Sequence, residues 1–152
     1  MLNKSDCSGV GQMLAIQIAQ TAADIERCFS VMHQLRPMLN AENFVSRIKA
    51  QQAEGYQLAF IEDEGVVVSV AGFRVQTMLW SGKTLYVDDL VTEEAHRSKG
   101  YGEAMLKGLI ALAQGAGCKT FALDSGVHRQ EAHAFYFRQG LRITDFHFQL
   151  PL

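Results

Sequence analysis

Asp88-Asp89-Leu90-Val91-Thr92-Glu93-Glu94-Ala95-His96-Arg97-Ser98-Lys99-Gly100-Tyr101-Gly102-Glu103-Ala104-Met105-Leu106 is a strand, a cationic loop and a helix start in succession. The helix expected from about Gly100 to Gln114 carries Met105, Leu109, Leu112 and Ala113 on one face, and Gly115 and Gly117 close it. Such a junction is an anion site. The unpaired N–H groups of a helix start converge on one spot, the helix dipole adds about half a positive charge there, and glycines let oxygens approach the backbone. Arg97 and Lys99 add full charges beside it and Ser98 a hydroxyl donor. A pyrophosphate fits that chemistry.

Working outward, Lys119 to Leu123 reads as a strand, Gln130 to Gln139 as a helix capped by Gly140, and Ile143 to Leu150 as a strand with Phe146, Phe148 and Leu150 alternating. Upstream, Tyr56 to Glu62, Val66 to Leu79 and Thr84 to Thr92 are strand candidates joined by short Gly-containing turns, which predicts an antiparallel meander. Before these, Met13 to Ala19 is a short strand candidate. Thr21, with Asp24 three residues on, caps a helix that carries Ile25, Phe29, Met32 and Leu35 and stops at Pro37. A second helix runs from about Ala41 to Ala53. The expected fold class is α/β in a mixed α+β arrangement. A central, mostly antiparallel sheet of six to seven strands has a β-α-β crossover in its second part and about four helices on its two faces.

Length and composition bound the rest. A chain of 152 residues, 48% hydrophobic and 20% charged with two prolines, is expected to form a single domain over 1–152. The start Met1-Leu2-Asn3-Lys4-Ser5-Asp6 has no apolar signal core, and no apolar run approaches the roughly 20 residues of a membrane span, so a cytoplasmic protein without membrane association is expected. Net charge of −2 argues against general nucleic-acid binding. The near balance hides an asymmetry: seven Lys/Arg against twelve Asp/Glu up to Ala95, and seven against four from His96 onward. The acidic half suits a cation and the basic half an anion. Cys7, Cys28 and Cys118 form no CxxC pair, and the five histidines, with His128 and His133 five apart, lack metal-ligand spacing, so no metal is expected.

Two other phosphate-binding patterns fail. A dinucleotide fingerprint needs a third glycine at position 105, which is Met, and Gly82-Lys83-Thr84 lacks the earlier P-loop glycine, since position 77 is Thr. Arg97-Ser98-Lys99-Gly100-Tyr101-Gly102 instead resembles the Arg/Gln-x-x-Gly-x-Gly/Ala pyrophosphate loop of the GCN5-related N-acetyltransferase (GNAT) superfamily. Downstream, Arg129-Gln-Glu-Ala132-His-Ala-Phe-Tyr136-Phe-Arg-Gln-Gly140-Leu141 resembles the same superfamily's next motif, a helix with Ala, then Tyr four residues later, then Gly-Leu or Gly-Phe. Order, separation and the surrounding elements match over about residues 13–150.

The resemblance implies an N-acetyltransferase using acetyl-coenzyme A. The backbone of Leu90, Val91 and Thr92 would pair with the pantetheine arm and polarise the thioester carbonyl, and Arg97, Ser98, Lys99, Gly100, Tyr101 and Gly102 would hold the pyrophosphate. Tyr136 matches the tyrosine that protonates the departing thiolate, and Asp88 and Asp89 match positions where relatives carry a carboxylate that takes the amine's proton. Chemistry supports these roles. An ammonium of pKa ~10 must lose a proton before it attacks, and a phenol of pKa ~10 keeps its own near neutrality. Side chains alternate along a strand, so one of the two aspartates would normally face the substrate, and a bulge could change which. The choice stays open.

One departure stands out. Relatives often carry Asn seven residues before the tyrosine, where this chain has Arg129 preceded by His128; Arg129 has no side-chain acceptor with which to cap the helix. Arg129 and His133 are candidate contacts to cofactor or substrate. A small-molecule amine is the expected acceptor and a protein N-terminus or lysine the alternative; a catalytically silent acyl-coenzyme A sensor is the rival from another class. The face of Phe146, Phe148 and Leu150 would be covered by the protein's own core or by a second copy in a homodimer.

Overall fold

The computed structural model describes residues 14–152, so the polar stretch up to Gly11, Cys7 and the expected strand start at Met13 lie outside the described residues. One sheet has the order β1 (Gln17–Ile18), β2 (Tyr56–Asp63), β3 (Val66–Met78), β4 (Gly82–Thr92), β5 (Thr120–Leu123). The first four strands pair antiparallel and β4 pairs parallel with β5, as the meander and crossover pattern predicts. Asp63 pairs with Val66, leaving Glu64 (φ 49°) and Gly65 (φ 80°) as a two-residue turn with both central residues left-handed, the geometry that suits the twist of a hairpin.

Five helices, α1 (Ala22–Arg27), α2 (Phe29–Leu35), α3 (Ala41–Ala53), α4 (Tyr101–Gly115) and α5 (Gln130–Arg138), accompany the sheet, with a 3₁₀ turn at Glu94–His96. The fold is the mixed α/β arrangement expected, corrected in two counts. The expected helix from Thr21 to Pro37 is two helices. It starts as predicted, with Thr21 Oγ1 accepting from Asp24 N–H and the Asp24 carboxylate accepting from Thr21 N–H. At Cys28 the ladder breaks. The Cys28 N–H turns to Ile25 O while its thiol takes Asp24 O, the carbonyl that the N–H would otherwise have used. The second correction is the strand count, five in place of six to seven among the described residues. Residues 143–150 have strand alternation but no strand, because alternation records an amphipathic surface while a strand requires a backbone partner.

Two apolar layers flank the sheet. Ile25, Met32, Phe44 and Ile48 from α1, α2 and α3 pack on Tyr56, Leu58, Phe60 and Val70, and on the opposite face Tyr101, Met105 and Leu109 of α4 pack on Ile61, Val68, Phe73, Leu85 and Val87. None of the described helices is long and apolar enough to cross a membrane. In contrast with α4, α5 buries no residue.

Candidate active site

Strand β4 is paired unequally on its two sides. Its ladder with β3 continues to Thr92, but its ladder with β5 stops at Val87, opposite Leu123. From Asp88 to Thr92 the β4 edge toward β5 is therefore open, and its backbone groups face a gap between the strands. Within this stretch the register shifts: Gly72 pairs with Asp89 and Phe73 with Val87, leaving Asp88 as the extra residue of a bulge. Val87 and Leu90 pack toward α4. Between them, Asp88 and Asp89 both reach the α1–α3 side, a consequence of the bulge that strict alternation would forbid.

Both aspartates are held by arginines. Asp89 Oδ1 accepts from Arg36 Nε at 2.7 Å and its Oδ2 from the Tyr56 hydroxyl at 3.0 Å; Arg36 also donates to Asp88 O at 3.1 Å. Asp88 Oδ2 accepts from Arg74 Nε at 2.8 Å, and Arg74 is further fixed by Gln51 and Glu54 O of α3 and by the Tyr56 ring. Burial, then Asp89, pushes the Tyr56 phenol far above its ordinary range, so it is a donor to that carboxylate. Tyr56 reaches Asp89 because Gly72 lies beneath it: a Cβ at Gly72 would stand 1.8 Å from the Tyr56 hydroxyl oxygen.

The loop after β4 ends in a helix start open to solvent. Ser98 (φ 62°) and Gly100 (φ 87°) are both left-handed, and Gly100 is the N-cap of α4 with no side-chain cap. A Cβ at Gly100 would meet nothing within 4 Å, so the backbone there is bare toward the groove. Gly102 stands against Thr92 and Phe135, where a Cβ would lie 3.3 Å from Thr92 Oγ1. A groove of about 750 Å³ runs along this feature and is lined by Leu90, Val91, Thr92, Arg97, Ser98, Gly100, Tyr101, Gly102, Arg129 and Tyr136.

Other expected contacts differ. The Tyr101 ring is buried against the α4-side core and its hydroxyl donates to Asp63, while the residue also lines the groove. Lys99 is exposed and lies outside the groove lining. His133 Nε2 contacts Gly126 O at 2.9 Å and lines neither cavity, which makes it a tie for the β5–α5 loop.

A second cavity, of about 450 Å³, opens between the end of α2 and the β4–β5 gap. Gln34, Arg36, Asp88, Asp124, His128 and Arg129 supply its polar lining. Leu90, His128, Arg129 and Tyr136 line both cavities, so the two meet there. Burial pushes the Tyr136 phenol above its ordinary range while Arg129 pulls it down; among the described residues its hydroxyl holds no hydrogen bond, leaving it available at the junction. Arg36 and Asp124 escaped the sequence reading. Asp124 follows β5 directly, beside the aspartates of β4, and accepts from the Tyr86 hydroxyl at 2.6 Å; only the β4–β5 pairing reveals that proximity.

A family model described as the acetyltransferase (GNAT) family matches residues 18–141. The chain belongs to the GNAT acetyltransferase family. It is accordingly an acyltransferase. An uncharacterized N-acetyltransferase of Bacillus subtilis (strain 168), YhdJ, is 32% identical over 126 residues, which are 82% of this chain and 89% of that protein. Among solved structures, a putative acetyltransferase from Agrobacterium tumefaciens superposes with a TM-score of 0.79 at 24% identity, over 91% of this chain and 99% of that one. The structure of AAC(6')-Iy in complex with the bisubstrate analog CoA-S-monomethyl-acetylneamine superposes with a TM-score of 0.76 at 14% identity, over 90% and 97%. The GNAT family uses acetyl-coenzyme A, and the bare, left-handed loop beside Arg97 has the donors that a diphosphate requires.

Proposed function

We propose that this GNAT acetyltransferase moves an acetyl group from acetyl-coenzyme A to a small primary amine by direct attack in a ternary complex. One observation carries the reading: a groove with a phosphate-type loop at one end meets a separate polar cavity at Leu90, His128, Arg129 and Tyr136. Bound acetyl-coenzyme A supplies the activated thioester. The chain supplies the rest. The loop from Arg97 to Gly102 holds the diphosphate through α4 N–H groups and the Arg97 guanidinium. The open β4 edge at Leu90–Thr92 pairs with the pantetheine arm, and an N–H there that meets the thioester oxygen stabilises its developing charge by about 3 kcal/mol. Tyr136 donates a proton to the departing sulfur. Asp88 lines the acceptor cavity and gives Arg74 one carboxylate oxygen, Oδ2, while its Oδ1 has no hydrogen bond among the described residues; Asp89 has both oxygens taken by Arg36 and Tyr56, so Asp88 is assigned to receive the amine's proton, directly or through water.

The size of the acceptor cavity suits a small molecule. Its lining has both signs of charge. Asp88 and Asp124 suit an ammonium, and Arg129, with no ion pair among the described residues, suits an acidic group on the same acceptor.

The test is thiol release from acetyl-coenzyme A with a panel of polyamines, amino sugars and amino acids, comparing wild type with Tyr136→Phe. Loss of the phenol lowers kcat by about 100-fold on a turned-over amine. Because the phenol is pushed upward, it keeps its proton at least as far as its ordinary pKa of ~10, so wild-type kcat has no alkaline loss from this group below that pH. Equal rates for the two proteins remove Tyr136 from the mechanism. Tight coenzyme A binding without turnover on the panel would favour a sensor.

A further inference from the structure

The acceptor cavity holds more charge than proton transfer requires. Of the groups that line it, Arg36 is taken by Asp89 Oδ1 and Asp88 O, and Gln34 by the Glu94 N–H at 3.0 Å and by Glu93 Oε1 at 3.3 Å. Asp88 receives the amine's proton in the proposed reaction. Arg129 and Asp124 then have no part in it, and they are of opposite sign.

The two stand at different places along the path of the acceptor. Arg129 lines both the groove and the cavity, and its positive charge acts on the Tyr136 phenol, the group placed at the departing sulfur. Its guanidinium makes no ion pair among the described residues, so it is open to an incoming anion, and a planar carboxylate matches its fork of donors. An anion held there lies beside the reacting amine. Asp124 lines only the cavity, on the side away from the groove. Its Oδ2 accepts from the Tyr86 hydroxyl at 2.6 Å and lies 2.9 Å from His147 Nδ1, which fixes the carboxylate and leaves Oδ1 without a partner among the described residues. Burial, then the bond to Asp124, pushes the Tyr86 phenol far above its ordinary range, so it stays a donor to that carboxylate. The free oxygen of Asp124 suits a cation.

We propose that the acceptor is an α-amino acid with a cationic side chain, its carboxylate on Arg129 and its side-chain cation on Asp124. The inference rests on the acetyltransferase reading of this site. The placement of the two charges sets the orientation: with the carboxylate at the junction, the α-nitrogen is the one that meets the thioester. That nitrogen gives its proton to Asp88 and forms the new C–N bond, the C–S bond breaks, and the thiolate takes the Tyr136 proton, leaving an Nα-acetyl amino acid and free coenzyme A. A simple diamine leaves Arg129 unpaired, and an apolar amino acid leaves Asp124 unpaired. A site built to pair a polar group of its substrate rejects the analogue without it, because the site's own group is then left without a partner.

Initial rates with acetyl-coenzyme A test the proposal. L-Lysine, L-ornithine and L-arginine are set against L-norleucine, which lacks the side-chain cation, and cadaverine, which lacks the carboxylate. At least one of the basic amino acids is expected to exceed both analogues in kcat/KM by about tenfold or more, the usual effect of one missing contact to a charged group. Fragmentation of the product by mass spectrometry is expected to place the acetyl group on the α-nitrogen. Arg129→Gln is expected to abolish the preference for lysine over cadaverine, and Asp124→Asn the preference for lysine over norleucine, with coenzyme A affinity followed by calorimetry in both. Cadaverine or norleucine turned over as well as the basic amino acids overturns the proposal, and so does acetylation of the side-chain nitrogen. Arg129→Gln that loses coenzyme A affinity while keeping the preference for lysine over cadaverine assigns Arg129 to the cofactor groove and also overturns it. Turnover of some other amine, with none of the basic amino acids accepted, overturns this proposal and leaves the acetyltransferase reading standing, whereas absence of turnover on every amine overturns that reading with it.

Discussion

Asp89 has only 14% of its side chain exposed and is tolerable there because a guanidinium and a phenol are aimed at its two oxygens. That arrangement depends on a missing atom. Tyr56 is 5% exposed and cannot swing away, so the Cβ of Gly72→Ala forces either its ring or strand β3 to move. We expect Gly72→Ala to cost about 1–3 kcal/mol, as overpacking typically does, and to appear as a lower urea midpoint at unchanged slope. A midpoint equal to wild type would mean that the Tyr56–Asp89 contact is not held by packing. The aspartate pair was readable from the sequence because two carboxylates at the end of a strand before a glycine loop are conspicuous. Their arginines were not readable. Arg36 follows the α2 helix and Arg74 lies within β3, and nothing local marks either as the partner of a residue 53 or 14 positions away. Tyr101 lines the groove as the motif led one to expect, but its motif did not show that its large ring is also held by the core.

Strands and helices were readable wherever the sequence contains its own stop signals. Thr21 with Asp24 and Asn40 with the Glu42 N–H start helices as cap chemistry requires, and the glycine turns fix the meander. The break at Cys28 was not readable, since no glycine or proline marks it and only the structure shows the Cys28 N–H turned to Ile25 O. The Cys28 thiol is pushed up to about 12 by burial, which leaves it a weak donor, not a nucleophile. In the proposed function the start of α4 is the element on which cofactor binding turns. Gly100 holds φ 87° as its N-cap, a conformation that costs a residue with a Cβ about 1 kcal/mol. Gly100→Ala is therefore expected to weaken coenzyme A binding roughly fivefold by calorimetry, through a loop that no longer rests in its binding geometry. Unchanged affinity would show that the left-handed turn is not what presents the N–H groups.

At the scale of the whole molecule, the sheet separates two chemistries and then joins them. The interrupted β4–β5 ladder makes one gap, the larger groove enters it from the α4 side, the smaller cavity enters from the α2 side, and Tyr136 stands where they meet. This arrangement bears on kinetics. A covalent acetyl relay would need a cysteine or serine at the junction with a base beside it. Cys28 is buried among the α1–α3 residues, Cys118 lines neither cavity, and Ser98 sits at the far, phosphate-type end of the groove. Direct transfer, as proposed, has both substrates present together. Initial rates varied in acetyl-coenzyme A at several fixed amine concentrations are then expected to give intersecting double-reciprocal lines, and the protein incubated with acetyl-coenzyme A alone should keep its intact mass. Parallel lines together with a stable acetylated protein would overturn direct transfer and direct the search to a nucleophile on the chain.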